Sequence, residues 1–252
     1  MDLKLKDKVA IVTGSARGIG RQIAFALAKE KVCIVVDDIN YEGAKKIEED
    51  LLKMGTKAIA FGADVTDAPS VKKMVDKVMD DFGRIDVLVN NACAPIRRIP
   101  FIDMDLEEWR QVIRVNLDGT FICSQAVAEV MKKNRKGKII NISSFAAYLP
   151  ASGFAAYSAS KAGIELLTRT MAGELGEFGI NVNCIRPGVI ETEITKQWHQ
   201  GEVGERMLKP IALKRFGDPE EVGTLVAFLA SEKADYINGT PISIDGGKFV
   251  VQ

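Results

Sequence analysis

Histidine and cysteine are scarce: one histidine, His199, and four cysteines, Cys33, Cys93, Cys123 and Cys184, in 252 residues. The cysteines lie far apart and form no Cys-x-x-Cys pair, so no metal site of conventional zinc ligands is expected. No apolar run approaches the ~18 residues needed to span a bilayer; Ala10–Thr13 and Cys33–Val36 are far too short. The opening residues Met1 to Lys8 carry charge where an export signal would need an apolar core, so a cytoplasmic, reducing compartment is expected. A charge surplus is also missing. Lys plus Arg number 34 and Asp plus Glu 34, a balance that argues against a nucleic-acid groove or a polybasic membrane anchor. Aromatics make up only 7%, which disfavours a stacking surface for single strands.

Apolar residues (47%) and 22 glycines are plentiful, which suits a buried, tightly turned core. Short β-branched runs at Val9–Val12, Val32–Val36, Ala58–Phe61, Asp86–Val89, Lys138–Ile142, Asn181–Ile185 and Pro241–Ile244 read as strands. Helical spacing occupies Gly20–Lys31, Glu42–Met54, Ser70–Phe82, Leu106–Lys133, Ala159–Phe178 and Glu220–Ala230. Strand then helix, repeated, predicts parallel strands joined by right-handed crossovers, with both faces of the sheet covered. A (β/α)8 barrel would alternate in the same way, and the motif in the first unit decides against it. No linker interrupts residues 1–252, so one domain is expected, with Val189–Phe216, which includes Trp198 and His199, as a lid over the substrate.

After the first strand comes Thr13-Gly-Ser-Ala-Arg-Gly-Ile-Gly20, leading directly into a helix. Gly14 supplies backbone angles closed to other residues; Gly18 and Gly20 permit close approach. Ser15, Arg17 and Ile19 complete the turn. A helix start offers unpaired N–H groups and a positive dipole end, which suits a diphosphate, although a glycine turn can also be plain punctuation. Asp38 follows the second strand, eighteen residues after Gly20, where a carboxylate would accept from ribose hydroxyls. It would also repel a 2′-phosphate, at a cost of up to ~4 kcal/mol for charges about 4 Å apart. NAD is therefore preferred over NADP, with Arg17 pulling the other way. The competing reading is that Asp37 and Asp38 only open the next turn.

Tyr157-Ser-Ala-Ser-Lys161 sets a phenol and an ammonium four residues apart, on one helix face. A phenol titrating near 10 is a poor proton shuttle at neutral pH, and a nearby cation favours its phenolate. Ser144 follows the fifth predicted strand, where its hydroxyl would meet a carbonyl oxygen.

Over nearly its whole length the chain resembles the short-chain dehydrogenase/reductases. The stretches that carry the likeness are the glycine turn, Ala63-Asp64-Val65-Thr66-Asp67, Asn90-Asn91-Ala92, Asn116, Ser143-Ser144, Tyr157 to Lys161, Asn181-Val-Asn183, Pro187-Gly188-Val-Ile-Glu-Thr192 and Asp245-Gly246-Gly247. The resemblance implies an α/β fold: a single-domain, Rossmann-like, doubly wound parallel sheet. It implies that Tyr157 exchanges the proton, Ser144 bonds the substrate oxygen, Lys161 lowers the tyrosine pKa and holds a ribose, and Asn116 anchors a water. It further implies that Asp64 and Val65 meet adenine, Asn91 the adjoining ribose, and Pro187, Gly188, Ile190 and Thr192 the nicotinamide. A homotetramer or dimer would form through paired long helices and the C-terminal strand region.

The family's Asn-Asn-Ala-Gly is altered here, because Cys93 stands at the glycine. It is read as a small buried residue ahead of a reactive thiol. The implied activity is an NAD(H)-dependent oxidoreductase interconverting a secondary alcohol and a ketone, with a small-molecule substrate and no metal, nucleic acid or membrane. The alternatives are a 3-oxoacyl-thioester reductase and a sugar-acid or polyol dehydrogenase. Members acting on acyl carrier protein tend to place arginines at the site entrance and to prefer NADPH. Arg135 fits that pattern, while Glu177 and Asp38 do not. Ile96-Arg97-Arg98-Ile-Pro-Phe101 is similar to a stretch of sugar-acid dehydrogenases, and reads either as a carboxylate clamp or as a solvated loop. Phe145, Leu149, Phe154 and Trp198 suggest a partly apolar pocket.

Overall fold

Runs such as Val9–Thr13, buried at every position, have no polar face to turn to water, so they settle in the middle of a sheet covered on both sides. In the computed structural model, which describes residues 2–149, 151–193, 195–196 and 200–248, the strands are β1 (Val9–Thr13), β2 (Cys33–Asp37), β3 (Ala58–Phe61), β4 (Val87–Asn90), β5 (Gly137–Ile142), β6 (Ile180–Pro187) and β7 (Pro241–Ile244). They pair in parallel in the order β3-β2-β1-β4-β5-β6-β7. The chain winds outward from β1 to β3, then returns to lay β4 beside β1. Between those two strands lies the switch point at which ligands settle in open α/β sheets.

Helices α1 (Gly18–Lys29), α2 (Tyr41–Lys53) and α8 (Pro219–Ala230) cover one face, packing Ile23, Leu27, Ile47, Leu51 and Val226 on Ala10, Val12, Ile34 and Val36. On the other face α3 (Ala68–Phe82), α5 (Gly119–Asn134) and α6 (Ala155–Leu175) bring Met74, Val78, Val127, Met131 and Ala172 onto Ile11, Val35, Leu88 and Ile139. Each fully buried Ile or Leu contributes about 2 kcal/mol of transfer free energy. The remaining helices are α4 (Leu106–Ile113) and α7 (Gly201–Leu208).

Capping separates the helices into two kinds. Asn40, Asp67, Asp105 and Asp218 accept backbone N–H bonds at the starts of α2, α3, α4 and α8. Helices α1 and α6 begin with no such side-chain bond. Their orphan N–H groups point toward the carboxyl edge of the sheet.

Two expectations are corrected. Leu106–Lys133 is not one regular helix: a π turn at Arg114–Asp118 separates α4 from α5. The extra residue in that turn carries Asn116 fully inward, a placement that regular helical spacing cannot reveal. The segment 189–216 is not wholly irregular either, since it contains α7 and ends in a bridge between Ile190 and Gly217. No helix among the described residues is long and apolar enough to cross a membrane.

Candidate active site

The glycine turn is fixed by its neighbours across the switch point. Gly14 sits at φ +63° and Gly18 at +58°. A Cβ on Gly14 would come within 2.8 Å of Ala92 Cα, and one on Gly20 would overlap the Asn91 amide and the Gly14 carbonyl. Asn91 donates from Nδ2 to the carbonyls of Thr13 (3.0 Å) and Gly14 (2.9 Å), while Thr13 Oγ1 accepts the N–H groups of Asn91 and Ala92. Ser15 is turned inward, its hydroxyl donating to the Val12 carbonyl at 2.8 Å. Arg17 is exposed on extended backbone just ahead of α1, and Ile19 is half-buried. The closely packed glycines and a helix start with no side-chain cap fit a diphosphate, because backbone can approach it.

The pleat of β2 sends Asp37 and Asp38 to opposite sides. Asp38 accepts from Ala16 N (3.0 Å) and Asn40 N (2.9 Å), so its carboxylate is held beside the glycine turn. Asp37 is fully buried, with Oδ1 on Ala63 N at 2.8 Å and Oδ2 without a partner among the described residues. Burial pushes its carboxyl up to about 8; the Ala63 bond opposes this, and Asp38 and Asp64 add to it. Asp64 folds back on Thr66 at 2.9 and 2.8 Å, and Val65 is buried against Gly119.

The four residues expected to do chemistry come together at the carboxyl edge of the sheet. Ser144 leaves β5 in extended conformation and accepts Ala146 N at 3.1 Å. Tyr157 and Lys161 stand one turn apart on α6, with Lys161 Nζ 5.6 Å from the ring centroid and donating to the Ile142 carbonyl at 2.8 Å. Asn116 accepts from Ala94 N (2.8 Å) and donates to Ser160 Oγ (2.9 Å), which in turn donates to the Tyr157 carbonyl (2.7 Å). Asn116 thus ties the loop after β4 to the helix that bears the tyrosine. Burial holds the Tyr157 phenol above its ordinary range; Cys93 adds to the rise, and a hydrogen bond with Ser144 opposes it.

Beyond β6, Gly188 packs so tightly on Asp245 that a Cβ would come within 2.6 Å of its Cα. Pro187 closes β6, the Ile190 carbonyl accepts from Thr195 Oγ1 at 2.8 Å, and Thr192 N donates to the same hydroxyl at 2.9 Å. Cys93 is exposed, which corrects its reading as a buried residue; Cys33, Cys123 and Cys184 are buried as expected. Arg97 lies 3.4 Å from Glu108, and the stem of Arg98 covers Gly153. Trp198 and His199 lie outside the described residues.

Sequence reading gave no role to Ser143 or Ser160 and did not single out Glu165 or Arg186. Glu165 and Arg186 form a two-point ion pair beside Lys161. The available signal was a glutamate four residues after the lysine and an arginine inside an apolar strand.

Comparison with known proteins agrees with this fold. The family model described as enoyl-(acyl carrier protein) reductase matches residues 14–248. A 3-oxoacyl-[acyl-carrier-protein] reductase of Synechocystis sp. (strain ATCC 27184 / PCC 6803 / Kazusa) is 41% identical over 245 residues, covering 96% of this chain and 97% of the relative. A 7α-hydroxysteroid dehydrogenase solved with NADH and 7-oxo glycochenodeoxycholic acid superposes with a TM-score of 0.93 at 34% identity, covering 98% of this chain and 96% of that one. A gluconate 5-dehydrogenase from Burkholderia cenocepacia J2315, solved with NADP and tartrate, gives 0.95 at 34% identity, covering 100% and 98%. By its fold and relatives the chain is an oxidoreductase acting on CH–OH or keto groups. The chain belongs to the short-chain dehydrogenase/reductases, a family that binds nicotinamide cofactors.

Proposed function

We propose that this chain is an NAD(H)-dependent dehydrogenase that interconverts a secondary alcohol and a ketone, with Tyr157 as general acid and base. The observation that carries the reading is the convergence of Ser144, Tyr157 and Lys161 at the sheet edge that also presents Asp38. NAD(H), when bound, supplies the hydride acceptor or donor. The uncapped start of α1, with Gly14, Ser15, Gly18, Ile19 and Gly20, would hold its diphosphate. Asp38 would take the ribose hydroxyls, Asp64 and Val65 the adenine, and Asn91 the adjoining ribose. Pro187, Gly188, Ile190 and Thr192 would frame the nicotinamide. Ser144 bonds the substrate oxygen, Tyr157 exchanges its proton, and Lys161 favours the phenolate by its charge.

A sugar-acid or hydroxy-acid substrate is the second reading, favoured by Arg98, which has no acidic partner among the described residues. A carrier-protein reductase is less well supported, because Arg135 already donates to the Glu177 carbonyl at 2.7 Å and Asp38 disfavours NADPH. Phe121 on α5 and Leu166 on α6, both large and exposed, support assembly through paired helices into a dimer or tetramer in the cytoplasm.

Tyr157→Phe is expected to lower kcat by ~100-fold or more. Initial rates on secondary alcohols, sugar acids and hydroxyacyl thioesters with both cofactors identify the substrate class. A Tyr157→Phe enzyme as fast as its parent overturns the proton role, and tighter NADPH than NADH binding overturns the role of Asp38.

A further inference from the structure

Glu165 lies on α6 one turn beyond Lys161, and only 9% of its side chain is exposed. A buried carboxylate must find a cation, and the lysine four residues earlier on the same helix face is within reach. Glu165 nevertheless has other partners. Arg186, reaching across from β6, gives Nε to one carboxylate oxygen and Nη2 to the other, and Ser143 Oγ stands 3.1 Å from Oε1. Lys161 Nζ is left on the Ile142 carbonyl, facing the Tyr157 ring.

Geometry explains the choice. A guanidinium presents two parallel N–H groups to two oxygens, whereas an ammonium is a single point of charge. The pleat of β6 sends Cys184 and Arg186 toward the face that α6 covers, so the fork reaches both oxygens of the carboxylate while Lys161 Nζ stays on the Ile142 carbonyl. The arrangement reaches further at both ends. Ser143 precedes Ser144 and also stands 3.2 Å from the Lys161 carbonyl, and the Arg186 guanidinium lies 5.6 Å from the centroid of Tyr148, on the turn after Ser144.

We propose that Arg186 is a positioning residue: it occupies Glu165, and so leaves the Lys161 ammonium free for Tyr157 and the cofactor ribose. The proposal rests on the roles given above to Tyr157 and Lys161. The remaining titratable groups around the pair are Cys184 on β6 and Tyr148; around Tyr157 they are Cys93 and Lys161. The competing anion within reach of Lys161 is therefore Glu165, and removing it separates this role from simple packing.

Arg186→Met, Glu165→Gln and the double variant test the inference through pH profiles of alcohol oxidation, NADH titration by fluorescence and thermal melting. Arg186→Met frees Glu165 to draw Lys161 aside. It is expected to lower kcat by ~100-fold, to move the acidic limb of the profile up by about one pH unit, and to weaken NADH binding. Adding Glu165→Gln removes the competitor, returns the limb to the parent position and recovers most of kcat and NADH affinity. Glu165→Gln alone lowers the melting temperature and keeps the parent limb. A parent limb in Arg186→Met, or a double variant no better than the single one, overturns the proposal. If Arg186→Met does not fold, Arg186→Gln with and without Glu165→Gln gives the same comparison, because neither replacement at 186 carries a charge for Glu165. Tyr157→Phe acts as the separate control: turnover at the parent rate there refutes the proton role itself, whatever the arginine variants do.

Discussion

The two ends of the carboxyl edge are built by different means. Around β1 and β2 the site is made of backbone: positive φ at Gly14 and Gly18, a helix start without a side-chain cap, and a carboxylate held by two N–H groups. Around β5, β6 and β7 it is made of side-chain pairs between distant segments, such as Glu165 with Arg186, and of contacts such as Ile190 with Gly217. At the first end a Cβ on Gly14 or Gly20 collides with neighbouring backbone; the second end has one such contact, Gly188 against Asp245, and relies otherwise on side chains. The second can exchange one pair for another while keeping the fold, and this is where relatives acting on a steroid and on a sugar acid would differ. A backbone-built end beside a more adjustable end of side-chain pairs would let one fold accommodate different substrates across the family.

The sharpest way to break this contrast is at Gly14. An alanine there would be strained at φ +63° and would bring its Cβ to 2.8 Å from Ala92 Cα. Backbone strain of this kind costs about 1–3 kcal/mol, and the collision moves the loop that carries Asn91. Gly14→Ala is expected to abolish measurable NADH binding in a fluorescence titration and to lower the melting temperature. A variant that binds like its parent would show that the turn is looser than its packing implies.

The same contrast explains what the sequence alone made legible. Glycine spacing, Asp38 and the Tyr157/Lys161 pair are local patterns, and each stands where its spacing implied. The inward turn of Asn116 depends on a π turn that regular periodicity passes over, and the helix at Gly201–Leu208 is only eight residues long and contains two glycines, poor helix formers. Arg186 and Glu165 are 21 residues apart in sequence and meet only because β6 runs beneath α6. Asp37 was overlooked for another reason: beside Asp38 it looked like half of a turn signal, and only the pleat sends it into the apolar layer with Cys33 and Val35.

Asp37 makes the end around β1 and β2 less stable than its glycines imply. A carboxyl that titrates at about 8 when folded, against ~3.9 unfolded, binds more protons in the folded state between those values. Stability attributable to it therefore falls as pH rises through that window and levels off above about 8. Asp37→Asn keeps an oxygen for Ala63 N and cannot ionise. It is expected to raise the melting temperature by roughly 4 °C or more at pH 8.5, with a gain that shrinks toward pH 4. A gain independent of pH would mean that Asp37 is not the group being relieved.

The smallest effect belongs to the adjustable end, at the ion pair where the segment after β6 enters α8. Glu221 accepts both Arg215 nitrogens, at 2.7 and 2.8 Å, and the N–H of Asp218 at 2.8 Å, completing the cap of that helix. The Arg215 hydrogen bonds, then the Asp218 N–H, hold its carboxyl down to about 2. A lowered acid stabilises the fold above its unfolded pKa of ~4.3, and that contribution is lost as pH falls through about 2. Both side chains are well exposed, 53% and 41%, so solvent screening leaves the pair only a small contribution to stability. Glu221→Gln is expected to lower the melting temperature by ~1–3 °C at pH 7, with the difference disappearing in acid and shrinking in high salt. The Glu165–Arg186 pair, being buried, should be insensitive to salt. Equal salt sensitivity in the two pairs would remove the distinction between a surface cap and an internal positioning device.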